Sequence, residues 1–175
     1  SDVRNFLIEK KDLYKEIIIF PHTIFGDKQI DTLNSLSGDI TVFCREKISF
    51  KFVKENFTKG SVYLWHDCAF YNKFPNDPSG NGVLNAFRSD KESVLSTIPE
   101  SNEDISYNGY AKKPLNDFIN TLKKYQQVNT DRLPVAIGAT LLGKEVKLFP
   151  NSYYKNEAVF DYSLKKFSNI SFVDK

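Results

Sequence analysis

Short β-branched runs alternate with segments of helical spacing, and this alternation limits the chain to one family of architectures. Glu16-Ile17-Ile18-Ile19-Phe20 is closed by Pro21, and a bounded apolar run of this length reads as a buried strand. Ile40-Thr41-Val42-Phe43-Cys44 and Ser61-Val62-Tyr63-Leu64-Trp65 read the same way. Between them, Ile30, Leu33 and Leu36, then Ile48, Phe52, Val53 and Phe57, recur at helical spacing. Strand, helix, strand, helix, strand predicts a parallel sheet flanked by helices.

The pattern breaks at Tyr71–Gly82, where Pro, Gly, Asn and Ser collect as in a linker. It then resumes. Val83–Phe87 reads as a strand, and residues 91 to 109 are polar and carry no assignment. Pro114–Tyr125 is a helix with Leu115, Phe118, Ile119 and Leu122 as its stripe. Gln127–Thr130 is a strand and Leu133–Leu142 a compact apolar helix ended by Gly143. Glu145–Phe149 is a strand, Glu157–Phe167 a helix and Ile170–Val173 a last strand. The expectation is an α/β chain of two lobes, 1–80 and 81–175, with ligands at the carboxyl ends of the strands in a cleft.

Composition removes several function classes. Lys plus Arg is 24 against 22 Asp plus Glu, too even a balance for a basic nucleic-acid binder or a polybasic membrane anchor. No apolar run approaches the roughly 20 residues that span a bilayer, and the first residues lack a signal-peptide apolar region. Two cysteines, Cys44 and Cys68, are too few for a disulfide scaffold, which predicts a cytoplasmic protein.

In an open α/β sheet the informative polar residues follow strands. Here these are Pro21-His22-Thr23, Arg45-Glu46, His66-Asp67 and Arg88-Ser89-Asp90-Lys91-Glu92, then Thr130-Asp131-Arg132 and Asn151-Ser152-Tyr153-Tyr154-Lys155. Three arginines and a lysine at strand ends point to a small anionic ligand, because the guanidinium fork pairs with carboxylate or phosphate through two parallel bonds. Helix starts after Thr130 and Asn151 would add backbone donors. Plainer roles stand beside these. Arg45-Glu46 can be an ion pair, Asp67 can cap a turn, Thr130 or Asp131 can cap a helix, and His22 and His66 can be structural. The sequence holds no Gly-rich phosphate loop, paired-Cys metal site or Ser-His-Asp order.

Six stretches, taken in order, resemble the polysaccharide pyruvyl transferase family. They are IIIFPHTI at 17–24, CREKISFKFVKEN at 44–56, VYLWHDCAFY at 62–71, FRSDKES at 87–93, NTDRLPVAIGATLLGKEVKLFPNSYYKN at 129–156 and AVFDYSL at 158–164. The resemblance implies two Rossmann-like lobes in a GT-B-like arrangement. It also implies transfer of pyruvate from phosphoenolpyruvate to a sugar of a surface polysaccharide or glycan, often as a cyclic ketal. Phosphoenolpyruvate is then a donor substrate, and no metal or organic cofactor is implied.

Carried onto this chain, the resemblance places Arg88 and Arg132 on the carboxylate and phosphate. Asp67 and Glu92 become candidates for proton work. Asp90, Asn151, Ser152 and Lys155 join the substrate contacts, as do Arg45, Glu46 and His22 of the other lobe. Two departures stand out. The family's Arg-Leu-His reads Arg132-Leu133-Pro134, which removes a side-chain proton carrier. About 16 residues precede IIIFPHTI where the family has a Gly-rich segment, a strand and a helix. The first lobe is therefore expected to be incomplete, with a homo-oligomer or a partner chain covering Ile17–Phe20 and Val42. Two other functions fit the same residues: a GT-B-like glycosyltransferase using a nucleotide sugar, and a non-catalytic glycan-binding or scaffolding relative.

Overall fold

Each half of the chain builds an all-parallel sheet, because helices between its strands return the chain to the same end. The computed structural model describes residues 2–10, 12–105 and 115–174. The chain divides into two compact units, Ser1–Cys68 and Ala69–Lys175.

The first unit runs α1 (Asp2–Lys10), β1 (Glu16–His22), α2 (Asp27–Ser35), β2 (Asp39–Cys44), α3 (Lys47–Asn56) and β3 (Gly60–Leu64). Its strands lie in the order β1-β2-β3, with Ile19 opposite Val42 and Val42 opposite Val62. Ile40, Val42 and Val62 form one core with Ile30, Leu33, Val53 and Phe57 from the helical side. Among the described residues, no helix of this unit packs on the other face. Ile18, Phe20, Tyr63 and Trp65 are half or more exposed, and Phe43 between them stacks on Tyr63 at 5.4 Å and meets the Trp65 edge at 6.2 Å. Val42, expected on the face needing cover, is instead fully buried against the helices. One residue of register separates the two faces, which is why its neighbour Phe43 belongs to the open one.

Two local features differ from expectation. β1 continues through Pro21 to His22, with an irregular register between Ile19 and His22. An edge strand tolerates a residue with no N–H. The helix α1 precedes it, and Leu7 of α1 packs on the core of this unit.

A 3₁₀ turn, Cys68–Tyr71, leads into the second unit. There follow β4 (Val83–Asn85), α4 (Leu115–Lys123), β5 (Gln127–Thr130), α5 (Leu133–Leu141), β6 (Glu145–Leu148), α6 (Lys155–Val159) with a π turn over Phe160–Leu164, and β7 (Ile170–Phe172). The order is β4-β5-β6-β7. Nearly every side chain of α5 is buried, so this helix is apolar all round rather than amphipathic. It ends as expected at Gly143, whose φ of 83° suits the left-handed cap, and Lys144 N–H donates back to Ala139 O at 3.0 Å. The start of the preceding predicted helix, Pro114, lies outside the described residues.

The Pro, Gly and Asn-rich stretch serves as a bonded loop of the second unit. Asp77 N–H donates to Leu142 O at 2.8 Å and Asn81 N–H to Lys124 O at 3.0 Å. The fully buried Lys144 donates its ammonium to Ser79 O and, at 3.3 Å, to Lys123 O. The boundary between units therefore falls at 68/69, ahead of this stretch, and not at 80/81. Turn residues here satisfy tight backbone geometry, the same composition a solvent linker would have. Among the described residues no helix is long and apolar enough to cross a membrane.

Candidate functional site

One group of charged side chains of the second unit gathers at the carboxyl ends of its strands. The backbone there is fixed first. Thr130, the last residue of β5, donates Oγ1 to Ala86 O at 2.6 Å and accepts the Arg132 N–H at 2.9 Å. The Arg88 N–H donates to Asp131 Oδ1 at 2.8 Å. Asn156 joins β5 to β6 by donating Nδ2 to Asp131 O at 2.7 Å and to Phe149 O at 2.9 Å. Asn102 pins residues 99–105 alongside β4, accepting the Phe87 N–H at 2.8 Å and donating to Phe87 O at 3.0 Å.

On this frame the side chains form one network. Arg88 donates Nε and Nη2 to Asp90 at 2.7 and 3.1 Å, and its Nη1 lies 2.5 Å from Glu92 Oε2. Arg132 donates Nε and Nη2 to Asp104 at 3.0 and 2.5 Å, and Nη2 also reaches Asp90 at 3.4 Å. Lys155 Nζ lies 3.5 Å from the same Glu92 oxygen and 4.8 Å over the Tyr153 ring. The arginine side chains are only 8% and 14% exposed, and Asp104 only 9%, whereas Asp90 and Glu92 are 38% and 35% exposed. Two guanidiniums thus sit on a buried base, with two carboxylates on the solvent side.

The electrostatics follow from these contacts. The Arg88 hydrogen bonds hold the Asp90 carboxyl down at about 2, against its partial burial and with help from the Glu92 N–H. Burial pushes the Asp131 carboxyl up, outweighing the Arg88 N–H and the charges of Arg88 and Arg132. Asp131 Oδ2, Asn156 Oδ1 and both polar atoms of the buried Asn151 amide have no protein partner among the described residues. Leaving such a group unbonded costs about 1–3 kcal/mol, so these atoms mark where a ligand or ordered water completes the bonding.

The residues singled out from the sequence divide by unit. Arg88, Asp90, Glu92, Arg132 and Lys155 share the network, with Asn151 on the loop beyond β6. Ser152 is exposed and enters through its backbone, its N–H donating to Glu92 O at 3.0 Å. In the first unit Arg45 donates to Thr23 Oγ1 at 2.9 Å and to Asp67 at 2.8 Å, so these three meet at the ends of β1, β2 and β3. Glu46 is fully buried and caps α3, accepting the Ile48 and Ser49 N–H groups and the Ser49 hydroxyl. Its carboxylate is committed to that cap, and its charge, after burial, helps push the Cys44 thiol up to about 12. His22 is exposed at the end of β1, and its carbonyl accepts the Arg45 N–H at 3.2 Å. Cys44 and Cys68 are both free thiols.

Two expectations about helix starts are corrected. Arg132 occupies the N-cap of α5, so neither Thr130 nor Asp131 caps it. The helix after Asn151 is five residues long and begins at Lys155, too short and too late to present amides beside Asn151. Sequence reasoning missed Asp104, which fell in a polar stretch without periodicity. A cavity of about 480 Å³ opens at the opposite, amino-terminal ends of β5, β6 and β7, between Gln127, Glu145 and Asn169. Among the described residues its lining gathers no comparable set of paired charges, which stand instead at the carboxyl ends of the strands.

No family model matches the chain, and no curated protein matches it. It is similar to the crystal structure of an uncharacterized protein from Klebsiella pneumoniae subsp. pneumoniae. The TM-score is 0.77 at 35% identity, over 100% of this chain and 70% of that one.

Proposed function

We propose, for a chain that belongs to the same family as the uncharacterized Klebsiella pneumoniae protein, that the second unit binds phosphoenolpyruvate and passes its pyruvyl group to a saccharide. One observation carries this: Arg88 and Arg132, the two arginines that the sequence resemblance marks, are joined through a shared Asp90 at the strand ends. Two forked cations on a buried base suit a donor with both a carboxylate and a phosphate, and Lys155 adds a third positive charge. The two-lobe GT-B-like fold is part of the same proposal, supported by two parallel α/β units.

The chemistry needs one proton carrier. A sugar hydroxyl oxygen adds to C2 of the enol while C3 takes a proton. A second hydroxyl then displaces phosphate from C2 and closes the ketal. Of the two hydroxyl protons, one ends on C3 and one on the departing phosphate. Glu92, on the solvent side of Arg88 and Lys155, is the carboxylate assigned to carry them.

Pro134 favours a second reading, a relative that binds the same ligand without turning it over. The two separate in one set of measurements. Phosphoenolpyruvate at about 100 times its Kd should stabilise the fold by about 2.7 kcal/mol, and Arg88→Ala and Arg132→Ala should each abolish most of that shift. Phosphate release with a saccharide acceptor then reports transfer. Equal stabilisation of wild type and both variants would remove the arginines from the site.

A further inference from the structure

The three carboxylates of the network are not held alike. Asp104 is largely shielded, its side chain only 9% exposed, and takes two hydrogen bonds from Arg132. Asp90 takes two from Arg88 and a third, at 3.0 Å, from the Glu92 N–H. Both are pinned. The Glu92 side chain is held differently, with one oxygen, Oε2, between Arg88 Nη1 and Lys155 Nζ, at 2.5 and 3.5 Å. That oxygen is closed off from solvent, yet neither contact has hydrogen-bond geometry. The attraction is therefore coulombic and weakly directional. Its backbone is fixed, with the N–H on Asp90 and the carbonyl accepting from Ser152, so only the side chain is free to turn.

We propose that Glu92 is a built-in competitor for the anion site: in the unliganded protein its Oε2 occupies the place between Arg88 and Lys155 that an oxygen of the incoming phosphate or carboxylate takes, and it swings out when the anion binds. This rests on the donor-binding function proposed above. Two features favour displacement over simple addition. An anion placed beside an undisplaced Glu92 would meet a like charge within a few ångströms, which is repulsive. An anion that replaces it inherits both cations, while Asp90 and Asp104 keep the guanidiniums aimed. The apparent affinity is then the intrinsic one reduced by the fraction of molecules with Glu92 swung out. The released carboxylate stands next to the bound donor, where the proton work is needed.

The test is titration calorimetry of the full chain with inorganic phosphate and with phosphoenolpyruvate. Glu92→Gln, which keeps the size and removes the charge, should bind both about tenfold tighter, and Glu92→Ala should do the same. Transfer should fall in both variants, so that binding and turnover move in opposite directions. Glu145→Gln, at the amino-terminal end of β6, controls for net charge. Wild-type binding with no gain in either Glu92 variant overturns the competitor and leaves the donor-binding function standing. A gain equalled by Glu145→Gln overturns it as well. Failure of wild type and variants alike to bind either anion removes both the competitor and the donor site.

Discussion

At the scale of a single residue, Pro134 is the position at which the two proposed functions, transfer and binding alone, part. It is exposed on the first turn of α5, where a missing N–H costs the helix nothing. A histidine ring in its place would meet solvent rather than core. Pro134→His should therefore lower stability by no more than about 1 kcal/mol, mainly through greater freedom of the unfolded chain. If a proton carrier is what the site lacks, phosphoenolpyruvate-dependent phosphate release should rise by about 10²-fold. Wild type already at full rate, with no gain in the variant, would leave the proton to Glu92 alone. Both proteins inert while phosphoenolpyruvate still binds would establish the non-catalytic relative. Glu46 shows the opposite case at this scale. A carboxylate at a strand end resembles a site residue in the sequence, and here it closes a helix instead.

The β1-β2-β3 sheet is the least finished element. All-parallel sheets are covered on both faces almost without exception, and this one carries helices on one. Ile18, Phe20, Phe43, Tyr63 and Trp65 make an apolar face that reaches onto β1, itself an edge strand. A patch of this kind marks an interaction surface or an aggregation liability. The expected outcome is association, either with copies of itself or with a partner chain. Light scattering of the purified chain should give a mass above 20.1 kDa, and Phe20→Lys combined with Trp65→Lys should return it to that value. A wild-type monomer at high concentration would show that the chain alone does not need the cover. The strands of this sheet were legible beforehand because each is a short apolar run between segments of helical spacing. Which alternate face stayed bare was not, since Val42 and Phe43 are equally apolar as letters.

As a whole molecule the chain carries two separate cores, one in each unit. Units with their own cores need not unfold together. The single tryptophan, Trp65, lies in the first unit, and the proposed donor site lies in the second. Phosphoenolpyruvate should therefore raise one calorimetric transition while leaving the tryptophan-fluorescence midpoint unchanged. A common shift in both signals would make the chain one cooperative body.

Features that depend on near neighbours could be read from the letters. Short bounded apolar runs and a period of about 3.6 residues set the strands, the helices and their succession, and a glycine after α5 set its end. Arg88, Asp90 and Glu92 were legible as a group because they stand two residues apart on one loop. Tertiary structure alone decided which distant groups meet. Asp104 reaches Arg132 across 28 residues, Asp131 takes the Arg88 N–H across 43, and Lys144 binds Ser79 across 65, drawing a linker-like stretch into the second unit. The physical reason is that periodicity records which side of an element is apolar. A buried polar contact requires only that two groups be complementary where the strands and loops bring them together, and it leaves no period along the chain.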